Sequence, residues 1–308
     1  MTQGDMSGDS ALPPREAVPA VSVIIAAFDA QETLGEQIEA LARQAPPFAW
    51  ELLVCDNGSH DGTVDLVREW MGRLPQLSLV DASLRRGPSA ARNAGAQAAR
   101  APLLVFCDAD DIVADDWLVQ MHDALQDSEL VAGRTIPLSS PGAVSVSWSI
   151  DALIVMPYWP QYPSAPSSNL GVHRSVFRAV DGFDESLRSS EDIDFCWRAQ
   201  MTGAHLIRCA DAVVHIRKRT GLLAVYRQAF SYACGEIQLK RKHAVAMAAY
   251  RASESTPSVH TVPAVVDRRR PSRVRQALRI LRPDGRADAA WRFGGWVGRR
   301  WASALGAR

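Results

Sequence analysis

Apolar and polar positions follow two rhythms along this chain, and each rhythm marks a different kind of element. Val21 to Phe28 (VSVIIAAF), Glu51 to Asp56 (ELLVCD), Leu77 to Val80 (LSLV) and Leu103 to Asp108 (LLVFCD) are short, nearly unbroken apolar runs. That is the pattern of strands covered on both faces. Between the runs, apolar residues recur at helical spacing, with Leu34, Ile38 and Leu41 after the first and a helix from Thr63 to about Met71 after the second. The turn-rich segment Asn57-Gly58-Ser59-His60-Asp61-Gly62 opens the second helix. Gly87-Pro88-Ser89 starts a third, Ala90 to Ala99, whose small residues let it lie very close to a sheet. Strand and helix alternating in this way predict an α/β domain, with a parallel sheet and helices on both faces.

After Ser128 the rhythm loosens. Leu130 to Ile136 reads as another strand, and residues 137–168 are rich in Pro, Ser, Trp and Tyr (Trp148, Tyr158, Trp159, Tyr162). This stretch reads as a long aromatic loop beside a binding cleft, although packing is the plainer role for any one ring. Asn169 to His173 resumes a strand, Ser175 to Val180 is a short helix, and Gly182-Phe183-Asp184-Glu185 is a turn. Ser189-Ser190-Glu191-Asp192 caps a helix, Ile193 to Met201, that stops at Gly203. Ala212 to His215 is a last strand and Leu222 to Lys242 a long helix.

The chain has 308 residues, of which 47% are hydrophobic and 22% charged, enough for one large α/β domain or two small ones. Its formal charge is zero, yet Asp267 to Arg308 holds twelve Arg against three Asp, a net of +9. Residues 1–19 are rich in Gly, Ser, Pro and acids and read as a disordered leader. No apolar run is long enough for a span and no secretory signal is evident, so a cytoplasmic protein is expected. The five cysteines are odd in number and scattered, which suits reduced thiols.

The chemistry that stands out is Asp108-Ala109-Asp110-Asp111, three carboxylates at the end of a buried strand. Buried carboxylates cost several kcal/mol unless paired or bound to a cation, so this pattern points to a divalent metal, Mg²⁺ or Mn²⁺. Such ions complete their shell with water and phosphate oxygens, which makes a nucleoside diphosphate the natural partner. The plainer alternative is that Asp110 or Asp111 caps the next helix, whose apolar face is Trp117, Leu118, Met121 and Leu125.

Five motifs then occur in order between Val21 and about Gln238: VCDNGSHDGT, GPSAARNAG, VFCDADD, GFDE and EDIDFCWRA. In these the chain resembles the family 2 glycosyltransferases, inverting enzymes of the GT-A fold. The resemblance implies a GT-A nucleotide-diphospho-sugar transferase domain over 20–250, a mostly parallel sheet flanked by helices, followed by a C-terminal helical tail over 251–308. Ala27, Phe28 and Asp29 would line the nucleotide, with Phe28 stacking near the base. Asp56 would accept from the imide of a uracil-like base, its plainer role being to bond its own turn. Arg92 and Asn93 would line the nucleotide site, Asp108 and Ala109 would touch ribose or sugar, and Asp110 would ligate the metal. Asp192 would be the general base, with Glu191 beside it able to share that role. His215 would be an extra metal or phosphate ligand, although a lone His after a strand is more often structural.

The implied function is transfer of a sugar from a nucleotide-diphosphate donor to an acceptor hydroxyl in cell-wall, polysaccharide or glycolipid synthesis. Two departures from the pattern matter. AAFDA replaces the usual Pro-x-Tyr-Asn turn, and no Gln-x-x-Arg-Trp signature of processive synthases occurs, so one transfer per encounter is expected. The rival readings are a non-catalytic nucleotide-sugar-binding scaffold, against which the intact carboxylate set argues, and a sugar nucleotidyltransferase, for which AAFDAQET lacks a Gly-rich basic signature. No G-x-G-x-x-G follows the first strand, which argues against a dinucleotide fold.

Beyond a Ser/Thr/Pro linker, Ser253 to Pro263, the tail carries Val274, Ala277, Leu278 and Leu281 at helical spacing. A similar stripe, Phe293, Trp296, Val297 and Trp301, follows Pro283. Two readings stand equally: an Arg- and Trp-rich pair lying on anionic lipid at the inner face of the membrane, fitting a lipid-linked glycan acceptor, or a stripe packed back on the domain. Nucleic acid is not an expected partner, since no recognised motif accompanies the charge.

Overall fold

The computed structural model describes residues 18–138, 153–217, 221–253 and 283–305. Most of the expected leader, Trp148, the linker after 253 and the stripe Val274, Ala277, Leu278 and Leu281 lie outside the described residues. The strands are β1 (Val21–Ala27), β2 (Trp50–Asp56), β3 (Leu77–Asp81), β4 (Leu103–Asp108), β5 (Ile112–Val113), β6 (Leu130–Pro137), β7 (Asn169–His173) and β8 (Leu206–Ile216). The helices are α1 (Leu34–Ala42), α2 (Thr63–Met71), α3 (Pro88–Ala98), α4 (Trp117–Asp127), α5 (Arg174–Ala179), α6 (Glu191–Met201), α7 (Leu222–Lys242), α8 (Ala244–Ser253) and α9 (Pro283–Leu305).

All eight strands join one sheet in the order β3-β2-β1-β4-β7-β6-β8-β5. The first four pair in parallel, as their unbroken apolar runs and intervening helices predict. Successive side chains serve opposite faces. Val21, Val23 and Ile25 pack with Ile38 and Leu41 of α1 and Trp117 of α4, while Ile24, Leu53 and Phe106 pack with Ala91 of α3 and Phe195 of α6. Beyond β4 the sheet becomes mixed. β7 runs antiparallel to both β4 and β6, and β5 antiparallel to β8. Apolar runs carry no direction, so the parallel expectation holds only where a helix returns the chain after each strand.

β8 is longer than its apolar end, Ala212 to His215, because its first half is half-exposed and carries Arg208 and Asp211. Asn169, fully buried, knits this edge together. Its side chain accepts from Trp117 Nε1 at 2.8 Å and donates to the carbonyls of Arg134 and Ala212, each at 2.9 Å. In the aromatic segment the plainer role, packing, holds for Trp159. Trp159 is 1% exposed and packs edge-on against Trp197 of α6 and Tyr162, so part of the stretch is core rather than cleft. Its rings had to be buried because α6, α7 and α8 otherwise leave Ile193, Leu239 and Met247 without cover.

At its C-terminus the chain packs α9 along α7, but through glycines rather than through the expected stripe, whose Phe293, Trp296 and Trp301 stay exposed. The contacts advance together along both helices, Gly294 against Tyr226 and Gly298 against Phe230, so the two run parallel. A Cβ on Gly294 would lie 2.5 Å from the Tyr226 carbonyl oxygen, and one on Gly298 2.6 Å from that of Phe230.

The small residues of α3 allow the close approach their composition suggests. A Cβ on Gly95 would fall 2.5 Å from Ile24 Cγ2 and 2.6 Å from Cys55 Sγ. Gly95→Ala is therefore expected to destabilise the chain by about 1–3 kcal/mol, since two core strands must shift to admit one methyl group. Gly35→Ala, whose new methyl would meet nothing nearer than Leu66 at 3.9 Å, is expected to be neutral or to add up to about 1 kcal/mol through helix propensity. Paired urea denaturation curves read both.

Candidate active site

The ends of β1, β2 and β4 lie side by side, and the chemistry collects there. Register pairs Ala27 with Asp56 and Ala26 with Asp108, so two carboxylates flank the end of β1. This is the carboxyl edge of the parallel strands, where open α/β sheets hold their ligands. Phe28 continues β1 into the open with 50% of its surface exposed, its ring edge-on to His60 at 6.1 Å. Asp29 takes a positive φ of 46°, and its Oδ1 accepts the His60 N–H at 2.7 Å. Buried Asp56 accepts from the N–H groups of Gly58 at 3.1 Å and Ser59 at 3.3 Å. Its plainer role is thus filled, and a carboxylate with about four acceptor positions retains capacity for a further donor. Buried Ala27 gives its carbonyl to the Asn57 N–H at 2.8 Å, fixing the two strand ends together.

Asp108, Asp110 and Asp111 offer carboxylate oxygens all within 4.8 Å of one another. Asp111 is 4% exposed, and burial together with the charges of Asp108 and Asp110 pushes its carboxyl up to about 8. Three hard oxygen ligands with surplus negative charge fit Mg²⁺ or Mn²⁺ on chemical grounds. His215 pairs with Ile112 across the β5–β8 ladder but does not belong to that group. Asp111, which the sequence suggested only as a cap or as part of the run, does. Ala109 is buried between them.

Two residues that sequence reasoning missed hold this turn. Gln37, fully buried on α1, donates to the Asp108 carbonyl at 3.2 Å and accepts the Val113 N–H at 3.0 Å. A polar residue inside the apolar stripe of Leu34, Ile38 and Leu41 was the signal available. Arg217, just past β8, gives its backbone N–H to Asp111 at 3.1 Å, its Nε to the Asp110 carbonyl at 3.2 Å and its guanidinium to Glu36 at 3.0 Å. The basic run that begins at Arg217 was the signal available, though it does not name the groups Arg217 meets.

Opposite the acidic turn stands the start of α6. Ser190, its N-cap, sits at φ 66° and makes no side-chain cap bond, so the helix does not begin on the serine cap that its sequence suggests. Instead the Ile193 N–H donates to Asp192 at 2.8 Å. Glu191 is bound to Arg92 Nη1 at 3.1 Å, while Arg92 Nη2 reaches Asp108 at 2.8 Å. Arg92 therefore spans the donor and helix sides of the site from a position only 5% exposed. Burial opposes its charge, and Asp108 and Glu191 outweigh that by raising its pKa. Asp192 has no such guanidinium bond. Burial, then the neighbouring Glu191 charge, push its carboxyl up to about 7.

Asn93 is occupied by the turn after α5. It donates to the Phe183 carbonyl and to Glu185, each at 2.9 Å, and accepts the Phe183 N–H at 2.9 Å. Gly182 is required there by its φ of 65° and because a Cβ would fall 2.6 Å from Asn93 Oδ1. Fully buried Asp194 anchors the other side of α6 to His243 at 2.8 Å and pairs within the helix with Arg198 at 2.7 Å. The structure thus gathers Phe28, Asp29, Asp56, Arg92, Asp108, Asp110, Asp111, Glu191 and Asp192 around one edge of the sheet, and gives Asn93 a clamping role.

Among known proteins, the model of glycosyl transferase family 2 matches residues 22–169 and that of glycosyl transferase family group 2 matches 103–265. A glycosyltransferase of Haloferax volcanii, AglE, is 26% identical over 228 residues, 72% of this chain and 74% of that protein. Several further curated relatives are spanned over less than half of their own length. The fold resembles the mannosyltransferase PcManGT of Pyrobaculum calidifontis, solved with GDP-Man and Mn²⁺, with a TM-score of 0.62, 19% identity and coverage of 93% of this chain and 88% of that one. It also resembles S. aureus TarS 1–349 in complex with UDP, with a TM-score of 0.53, 18% identity and 91% of each chain covered.

Removing Arg92 leaves two carboxylates facing each other without a counter-ion, so Arg92→Ala is expected to cost about 3 kcal/mol of stability in urea denaturation. An unfolded aspartate titrates near pH 4, whereas Asp192 does so at about 7 in the folded chain. The folded state holds the additional proton between those values, so Asp192 makes stability fall as pH rises through that window. Melting curves across that range should be flatter for Asp192→Asn than for the wild type.

Proposed function

This chain belongs to the family 2 glycosyltransferases and has the GT-A fold, and we propose that it transfers a single sugar, with inversion, from a nucleotide-diphosphate sugar to an acceptor hydroxyl. The observation that carries this reading is the placement of the acidic turn, Asp108 to Asp111, and the paired carboxylates Glu191 and Asp192 on either side of Arg92. Phe28, Asp29 and Asp56 are suited to receive the nucleoside, Phe28 by offering an exposed ring face and Asp56 by accepting an N–H from the base.

Asp110, with Asp108 and Asp111 beside it, would hold Mg²⁺ or Mn²⁺. When bound, that ion supplies Lewis-acid neutralisation of the charge that develops on the departing diphosphate. Arg217, lying against the Asp110 carbonyl, adds fixed positive charge on the same side.

Inversion in one displacement needs a base across the sugar from the leaving group, to take the proton of the attacking hydroxyl. Asp192 suits that role better than Glu191. Glu191 is committed to a guanidinium, whereas the proton affinity of Asp192 lies near neutral pH, where a base is most effective. Arg92 then acts as a positioning residue that ties Asp108 to Glu191, and through it to the first turn of α6.

UDP-, dTDP- and GDP-sugars, each offered with and without Mn²⁺, test the reading. One donor is expected to bind in a metal-dependent way, with Asp110→Ala losing that binding. Asp192→Asn is expected to keep donor binding while kcat falls by about a hundredfold to ten-thousandfold. Because only the ionised base accepts a proton, kcat for the wild type should fall about tenfold per unit below pH 7 and level off above it. Binding of no nucleotide sugar, or full turnover by Asp192→Asn, would overturn the proposal.

A further inference from the structure

The α7–α9 pair turns an aromatic face outward that no other described residue covers. The face of α9 lying on α7 is made of Ala287, Gly294, Gly298 and Ala302, all buried, so the bulky residues of α9 are left on other sides. Five rings form a connected ladder across both helices. Trp296 stacks on Phe293 with centroids 6.1 Å apart, Phe293 meets Tyr226 at 5.9 Å, Tyr226 stacks on Phe230 at 6.4 Å, and Phe230 meets Trp301 at 5.6 Å. Phe293, Trp296 and Trp301 are 59%, 49% and 45% exposed, and Leu222 and Leu223 extend the apolar surface at the start of α7.

Exposed apolar surface of this extent marks an interaction site, and its frame of charge identifies the occupant. Arg300 lies over the Trp296 ring at 5.0 Å, and Arg227, Arg292 and Arg299 are exposed on the same two helices. Over α7 and α9 together, eight Lys and Arg stand against three Asp and Glu, a net of +5. Two copies of so basic a face would repel each other, whereas an anionic surface would be drawn to it. Trp, Tyr and Phe with Arg beside them are the side chains that settle at the boundary between lipid headgroups and acyl chains. No described helix is long and apolar enough to cross a membrane, so attachment by this face would be lateral.

We propose that the aromatic face of α7 and α9, formed by Tyr226, Phe230, Phe293, Trp296 and Trp301, docks the protein on an anionic lipid bilayer. The packing of α9 on α7 and the exposure of this face are then two parts of one device: the glycine-lined side fixes the helix to the domain and the aromatic side inserts into the interface. The face is also rigidly joined to α6. Gly235 of α7 approaches so closely that a Cβ there would lie 2.6 Å from the Ser189 carbonyl oxygen, and Lys242 and His243 bind Asp194. A docked bilayer would thus sit at a fixed orientation to the helix that carries Glu191 and Asp192.

The test is co-sedimentation of the full chain with vesicles of phosphatidylcholine, alone or mixed with phosphatidylglycerol. The wild type is expected to pellet with the mixed vesicles, less so at high salt, and weakly with phosphatidylcholine alone. The double variant Phe293→Ser, Trp296→Ser alters only exposed rings and is expected to melt like the wild type while its vesicle partition falls about tenfold or more. Failure of the wild type to pellet with mixed vesicles would overturn the proposal, as would equal pelleting of a folded double variant. A wild type that ignores vesicles but dimerises, with the dimer lost in the double variant on size exclusion, would assign the face to a second copy instead.

Discussion

One buried guanidinium holds the two halves of the site in place. Arg92 bonds Asp108 at the end of β4 and Glu191 at the start of α6, residues that lie on opposite sides of it and far apart in sequence. Two carboxylates this close without a shared cation would repel, and a guanidinium this buried without both would be costly. The rest of the local structure follows from placing Arg92 there. α3 must press against β1 and β2, which it does because Gly95 has no side chain to keep it off Ile24 and Cys55. Asn93, next along α3, clamps the Gly182–Glu185 turn, and the Phe183 ring of that turn lies 5.8 Å from the Arg92 guanidinium.

Charge elsewhere in the site is left unbalanced, at two places with different chemistry. Asp111 and Asp192 both have carboxyls pushed far above the usual range, chiefly by burial and then by neighbouring carboxylates. At Asp111 the excess belongs to a group of three hard ligands and suits a divalent cation. At Asp192 it belongs to a residue beside an already paired Glu191 and suits proton uptake. The proposed reaction uses both: negative charge develops on the donor side as the diphosphate leaves, and a proton is released on the acceptor side as the hydroxyl attacks.

Much of this was legible in the sequence because it rests on local patterns. The four unbroken apolar runs gave the parallel half of the sheet, and the acids after Cys107 and at Glu191 and Asp192 fell at strand and helix ends where geometry brings them to one edge. What escaped was set by tertiary contact. The reversal of β7 carries no local signal, because apolar alternation does not encode strand direction. Gln37 and Arg217 act through the backbone of a turn distant in sequence, so nothing near them in the chain states their role. Trp159 takes the packing role that is plainer for any one ring, but its partners, Trp197 and His243, lie far along the chain and could not be read from its neighbours. For Arg92 and Asn93 the resemblance implied a place at the nucleotide, and what it did not state is their contact with Asp108, Glu191 and the Phe183–Glu185 turn. The tail's apolar spacing left lipid contact and packing equally open, and only the assembled pair showed that packing uses glycine and alanine and leaves the aromatic residues outside.

The central claim is that one carboxylate, Asp192, serves a single displacement across from a donor held at the acidic turn. The anomeric configuration of the product, read by proton NMR as it first forms, tests this most directly. With an α-linked nucleotide-sugar donor the account predicts a β-linked product from the earliest time point. An α-linked product would mean net retention, which a single displacement from the face opposite the leaving group cannot give, and would contradict the account.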